Sequence, residues 1–342
     1  MKRLNAAYIA LFILINSVVL VALLEIFARL FDPLGVSYYP DTAKLLDTMV
    51  LEEPIGYKNG PNLSLDLYGT RINTNSLGLR HDALELQGED SKYRILFLGD
   101  SVVFGVGVND EDTLAVQLEE RLSKHKSRSV EKSIEVMNMG TISYNTEQEL
   151  IQYKSVGALL KPNLVLLMFS SNDIEPKMWV FDRRKNPLVR LAQRSYGVSL
   201  LYLIKQRIQS RFAKQERNGL IQWAAYTEEN PRWLSIRNSL LELKALLDSE
   251  NIPFILLGQG RENRAWNMVR QFAEDEEIEA RLVNPFDDPR WQSLDPNAFL
   301  APKGGGHLNK EGLHMYSIII QEMLEELGYV TDDPKLSDGH EK

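Results

Sequence analysis

Hydrophobic and polar positions divide this chain into three regimes. The first is continuous: Ala6 to Leu24 is nineteen residues without a charge, with only Asn16 and Ser17 clearly polar. As a helix it spans roughly 30 Å, the thickness of a bilayer's hydrocarbon core. The second regime, 33–92, is mixed and turn-rich, with Pro33, Pro40, Pro54, Gly56, Gly60 and Pro61. It reads as an extended lead-in, and Thr70 to Arg80 is the stretch most suited to extended structure. The third regime alternates. Short apolar runs bounded by turn residues predict strands at 93–99, 134–140, 163–170 and 253–259, with a weaker fifth at 280–284. Segments of helical periodicity predict helices at 112–124, 146–160, 233–250, 263–279 and 308–327. Such alternation implies βαβ units and a parallel sheet. The four-residue run Ile95-Leu-Phe-Leu98 is continuous because a strand of such a sheet is buried on both faces.

One segment breaks the rhythm. Residues 175–230 exceed an ordinary connection between a strand and its helix. Within them, 183–217 carries ten Lys or Arg against one acid, Glu216, interleaved with Val-Ser-Leu-Leu-Tyr-Leu-Ile. That pattern predicts an amphipathic basic helix. It serves either as a solvated insertion capping the domain or as an arm resting on an anionic membrane surface. The tail from Thr331 is polar and predicts frayed structure.

Charge and composition narrow the classes. A net charge of −8 argues against nucleic acid as the principal partner. Cysteine is absent, which excludes disulfides and thiolate metal sites. No histidine–carboxylate spacing suggests a metal. Lys2 and Arg3 precede the first apolar run and favour a cytoplasmic N-terminus, with the remainder outside. A cleaved signal peptide competes with an anchor, but the run passes into Glu25-Ile-Phe-Ala-Arg-Leu-Phe-Asp32 without a convincing small-residue cleavage site. The expected division is therefore a membrane anchor at 1–32, a lead-in at 33–92, an α/β domain at 93–330 and a tail at 331–342.

Candidate chemistry gathers at one place. In open α/β sheets, ligands bind at the carboxyl ends of the strands. Ser101 follows the first predicted strand in Leu-Gly-Asp-Ser, Gly140 ends the second, Asn172 ends the third in Ser-Ser-Asn-Asp, and His307 opens the last helix. A serine hydroxyl needs a base to become nucleophilic, and histidine serves near neutral pH. An acyl-transfer intermediate needs donors for its oxyanion. The backbone N–H groups of Ser101 and Gly140 and the Asn172 amide are the candidates. Each also has a plain structural reading, as a cap, a strand-end glycine, a turn residue and a solvent-exposed helix start.

The order and spacing of these four blocks resemble the SGNH (GDSL-type) hydrolases, over roughly residues 93–327. The resemblance implies a three-layer α/β/α flavodoxin-like domain and a serine esterase using Ser101 and His307, with no cofactor. Exported relatives commonly remove or transfer acetyl groups on surface polysaccharides, which makes a glycan or lipid ester the expected substrate. Trp179, Trp223, Trp233, Trp266 and Trp291 are candidate sugar-stacking surfaces. The sequence departs from the family pattern twice. Ser170 stands where the third block usually has glycine, and Gly304 stands where the orienting acid normally lies, three residues before the histidine. Asp295 or Asp288 looping back, or a backbone carbonyl holding the ring in a Ser–His dyad, are the alternatives. Two further functions stay open: acyl transfer to a sugar hydroxyl by the same residues, and a non-catalytic binding or assembly protein that keeps the fold.

Overall fold

The computed structural model describes residues 2–82, 92–123, 125–127, 133–212 and 225–332. Its central feature is a five-stranded parallel sheet. The strands are β1 (Lys92–Gly99), β2 (Ser133–Gly140), β3 (Leu164–Phe169), β4 (Phe254–Gln259) and β5 (Glu279–Val283). They lie side by side in the order β2-β1-β3-β4-β5, the flavodoxin-like doubly wound arrangement. All four pairings are among the expected strands. Register places Gly99 opposite both Gly140 and Met168, so the ends of β1, β2 and β3 lie level.

Alternation along β1 explains its unbroken apolar run. Leu96 and Leu98 join Met137, Met139, Val165, Leu167 and Leu256 on one face, against Trp233, Leu240, Leu243, Val269 and Phe272. Ile95 and Phe97 join Val136, Leu166, Met168 and Leu257 on the other, against Leu114, Leu118, Leu313, Ile320 and Leu324. Successive residues of a strand point to opposite faces, and here both faces are covered. The covering helices are Thr146–Ser155, Pro231–Ser249 and Arg264–Asp275 on the first side, Leu114–Leu122 and Lys310–Glu326 on the second. This is the three-layer domain.

Helix ends differ from expectation where the backbone turns left-handed. The helix expected over 146–160 stops at Ser155 and continues as a tighter turn, Gly157–Leu160, closed by Lys161 at φ 49°. The helix expected over 263–279 ends at Asp275, and Glu277 at φ 55° turns the chain into β5.

The lead-in reading of 33–92 needs correction. Tyr38–Thr48 is a helix. Two short antiparallel ribbons follow, Val50–Glu52 with Gly56–Lys58 and Ser64–Leu67 with Thr70–Asn73. Tyr57 and Ile72 are fully buried, and Arg80 is 2% exposed. The physical reason lies in Arg80, whose guanidinium donates to the carbonyls of Arg71, Phe104, Gly105 and Val108 and to Asp110. The ribbons and Arg80 are thus part of the sheet domain, held to the loop that follows Ser101.

The chain forms two compact units. The described residues of 48–180 and 225–332 make the one just described; 2–47 and the basic segment 181–212 make the other. In the second unit, helix Lys2–Phe31 contains an apolar stretch, Ala6–Phe31, of 26 residues, whose most apolar 18-residue window has a mean hydropathy of 2.7 and no buried residue. The basic segment is not the single helix expected. It is split into Trp179–Arg183, Pro187–Ala192 and Tyr196–Phe212, because Asn186 caps a new start with Pro187 in its first turn. Glu25 then acts as the cap of the last of these. Its carboxylate accepts from the Ser195 hydroxyl at 2.7 Å and from the backbone N–H groups of Tyr196 and Gly197 at 3.2 and 2.8 Å. Anionic groups at a helix N-terminus are stabilising, and Ala28, Val36 and Leu200 close a small core beside this contact.

Candidate active site

Ser101 begins a one-turn helix, Ser101–Phe104, directly after β1. The Asp100 side chain caps it, accepting from Val102 N–H at 3.0 Å, and Gly105 at φ 85° ends it. Glycine is required where β2 meets this turn: a Cβ on Gly140 would overlap the Phe104 backbone. Such close packing seats the turn on the end of β2.

The last helix brings histidine to this serine. His307 Nε2 lies 2.7 Å from Ser101 Oγ, and His307 Nδ1 meets the carbonyl oxygen of Gly304. A carbonyl only accepts, so Nδ1 carries the proton and Nε2 presents its lone pair to the serine hydroxyl. Half-burial pulls the His307 pKa below the ordinary histidine value, against the opposing pull of the Gly304 carbonyl and the Asp100 charge. The loop that sets this geometry is self-bonded: Ala301 N–H donates to His307 O at 2.8 Å, and Gly304 N–H to Ala301 O at 3.0 Å. A Cβ on Gly304 would stand 2.6 Å from the Ala301 Cβ. No side-chain acid fits at 304 without moving this loop.

Asp288 and Asp295 do not replace it. Asp288 is held by Arg290, whose Nε and Nη2 lie 2.9 and 2.6 Å from its carboxylate. Asp295 caps the turn Pro296–Phe299, accepting from Asn297 N–H at 3.0 Å. Each carboxylate satisfies a nearer partner, which corrects both readings. Among the expected alternatives, the structure has the backbone carbonyl.

The three expected oxyanion donors fare differently. Ser101 N–H has no partner among the described residues. Asn172 sits in the turn Ser171–Ile174 after β3, with its amide 3.3 Å from Asp100 Oδ2. Gly140 is not positioned as expected: its N–H donates to Asn138 Oδ1 at 2.9 Å. The neighbouring loop offers another donor. Ser143 has φ 56°, is the one residue between Thr141 and Thr146 that is not buried, and has an N–H without a partner among the described residues. Tyr57 holds this loop, its hydroxyl donating to the carbonyls of Ile142 and Ser143 at 2.9 and 3.0 Å. Sequence reasoning looked for a glycine here, and a serine in left-handed conformation gives no such signal.

Ser170 also has a clear role. With φ −120° it needs no glycine, and its hydroxyl caps the turn that carries Asn172. Behind the site, Asp100, Glu149 and Asp173 are buried. Asp173 accepts from the Thr146 hydroxyl at 2.6 Å, whereas neither Glu149 oxygen has a partner among the described residues. Burial, with each acid next to others of like charge, pushes the Glu149 and Asp173 carboxyls well above the usual range. Trp233 and Trp266 are core residues, 1% and 3% exposed, and are removed from the list of stacking surfaces. Trp179 and Trp291 are half-buried, and Trp223 lies outside the described residues. Among the described residues no cluster of His, Asp or Glu has the makings of a metal site.

No family model matches the sequence, and no curated protein matches it. Solved structures that this chain is similar to include a lipase/acylhydrolase from Enterococcus faecalis, at 12% identity over 70% of this chain and 98% of that one, with a TM-score of 0.39. A catalytic mutant of an acetylxylan esterase from Geobacillus stearothermophilus aligns at 16% identity over 69% and 94%, TM-score 0.41. A psychrotrophic esterase from a Pseudoalteromonas species aligns at 15% identity over 68% and 97%, TM-score 0.39.

Proposed function

We propose that this chain is a serine ester hydrolase, tethered to a membrane by Ala6–Phe31 and acting outside the cytoplasm on an acyl ester of a glycan or lipid. The observation that carries the chemistry is the Ser101–His307 contact with Nδ1 held by the Gly304 carbonyl. Ser101 Oγ attacks the acyl carbonyl carbon while its proton passes to His307 Nε2. The Ser101 and Ser143 N–H groups and the Asn172 amide receive the oxyanion. Collapse of the tetrahedral intermediate breaks the bond to the alcohol, which leaves with the proton from Nε2. Water then attacks the acyl-serine by the same route and releases the acid. Gly304 O stabilises the imidazolium as a dipole rather than a full charge, which is weaker help than a carboxylate gives.

The location rests on length and charge. Ala6–Phe31 is about 39 Å long as a helix, enough to cross a bilayer with some tilt, and Lys2 and Arg3 favour the cytoplasmic side for the N-terminus. An enzyme tethered there reaches surface glycans and lipids before soluble esters.

The test is hydrolysis of short-chain aryl esters by the full chain across a pH series. Only neutral His307 accepts the serine proton, so activity rises with pH through its pKa. Since burial lowers that pKa, the acidic limb of kcat/KM is expected below the ordinary histidine value of about 6.5. A limb centred above pH 7 overturns the assignment of His307 as the base in this setting.

A further inference from the structure

The unit that contains the apolar helix holds a cavity of about 600 Å³, large enough for a lipid headgroup. Its charged lining is Arg29, Lys44, Arg184, Lys185, Arg190 and Arg194, against a single acid, Asp47. Four of these cations have carboxylate partners: Arg29 with Glu25, Lys44 with Asp41, Arg184 with Asp47 and Lys185 with Asp182. Arg190 and Arg194 have no acidic partner among the described residues. Arg190 is in the helix Pro187–Ala192 and Arg194 in the turn that follows it, and both line the cavity.

The surroundings say what kind of anion belongs there. Leu188 and Leu191, on the same segment as the two arginines, are 61% and 51% exposed. Leu201, Ile204 and Ile208 continue the exposed apolar positions on the next helix. Unpaired arginines beside exposed leucines are the pattern of a segment lying in a membrane interface. Arg29 is two residues from the end of the apolar helix, so the cavity opens where that helix leaves the hydrocarbon. A soluble phosphate would explain the arginines but not the leucines.

We infer that this cavity binds the phosphate of an anionic phospholipid headgroup, with Arg190 and Arg194 as its paired donors and Leu188 and Leu191 against the acyl chains. Arginine's planar fork suits phosphate oxygens. The site fixes the membrane-proximal unit to the bilayer independently of the helix that crosses it. The inference rests on Ala6–Phe31 being a bilayer span.

The experiment uses the full chain in neutral detergent, studied by native mass spectrometry with phosphatidylglycerol, phosphatidylcholine or inorganic phosphate added. Wild-type chain is expected to retain one phosphatidylglycerol, and the Arg190→Gln/Arg194→Gln variant to lose that retention at least tenfold, with an unchanged melting curve. Arg190→Lys/Arg194→Lys, which keeps the charge without the fork, is expected to lie between them and covers the case in which the glutamine variant misfolds. Equal retention of phosphatidylglycerol by wild type and both variants overturns the site, as does phosphatidylcholine held as firmly as phosphatidylglycerol. So does inorganic phosphate displacing the lipid at equal concentration, which would make it a free-anion site. Carbonate extraction of membranes tests the span by itself: chain released into the soluble fraction sinks the anchor while leaving the lipid retention to be judged on its own result.

Discussion

Ser101→Ala is expected to lower ester hydrolysis by about 10³-fold or more, with the melting temperature essentially unchanged. In the proposed mechanism the hydroxyl is the atom that forms the acyl bond, and it lies 2.7 Å from His307 Nε2. The proposed oxyanion donors survive in the variant, because they are backbone groups at 101 and 143 and the amide of Asn172, so a weak residual rate over water is expected to persist. The fold is spared because the turn is capped by Asp100, not by Ser101. Activity of the variant within a few-fold of wild type would remove the serine from the chemistry.

Arg80→Ala is the most damaging single change expected outside the reacting atoms. The Arg80 side chain is fully buried and makes five hydrogen bonds, four to carbonyls and one to Asp110. Truncation strands those carbonyls away from water and leaves Asp110 without its cation, a loss of roughly 3–5 kcal/mol. For a domain of this size the melting temperature falls on the order of 10 °C. Phe104, Gly105 and Val108 belong to the turn and loop after Ser101, so kcat falls further than the loss of folded protein explains. Arg80→Lys keeps the charge but not the fork and is expected to recover only part of both. Arg80 acts here as a positioning residue. A variant melting with wild type and with unaltered kcat would show that the loop holds itself.

What could be read in advance follows from burial. Strands β1, β3 and β4 were legible because a strand covered on both faces is apolar almost throughout, as Ile95-Leu-Phe-Leu98 is; β5, half-buried and carrying Glu279 and Arg281, gave the weaker signal. The helix faces of 231–249 and 264–275 were legible from the spacing of Trp233, Leu240 and Leu247, and of Val269 and Phe272. Of the ribbons of 50–73 only Thr70–Asn73 fell in a stretch read as extended; the other strands were missed, being three or four residues long with no sustained alternation. Arg80 looked like any surface arginine; its buried partners are backbone carbonyls, which have no signature in side-chain sequence. The split of the basic segment at Asn186-Pro187 was present in the sequence as a cap and a first-turn proline, but the charge pattern outweighed it.

The site divides in the same way. Ser101, Asn172 and His307 were legible because each lies at a sheet-edge boundary of an apolar run or helix. Gly140 was placed correctly on the edge but assigned the wrong job: its missing Cβ makes room for the Phe104 backbone, while its N–H serves Asn138. Ser143 carries the left-handed backbone expected of a glycine. The absent acid at 304 was visible, and its replacement was not, because a carbonyl belongs to every residue. Gly304 is small for a second reason: the loop packs against Ala301, so the position that lacks an acid also lacks space for one.

The most direct measurement of the central claim is covalent labelling of the full chain with a serine-reactive fluorophosphonate, followed by peptide mass spectrometry. The predicted result is one adduct, on Ser101, formed with the pH dependence of a neutral histidine and lost or greatly slowed in His307→Gln. Labelling at another residue, or Ser101 labelling at an equal rate in His307→Gln, would contradict an activated Ser101–His307 pair.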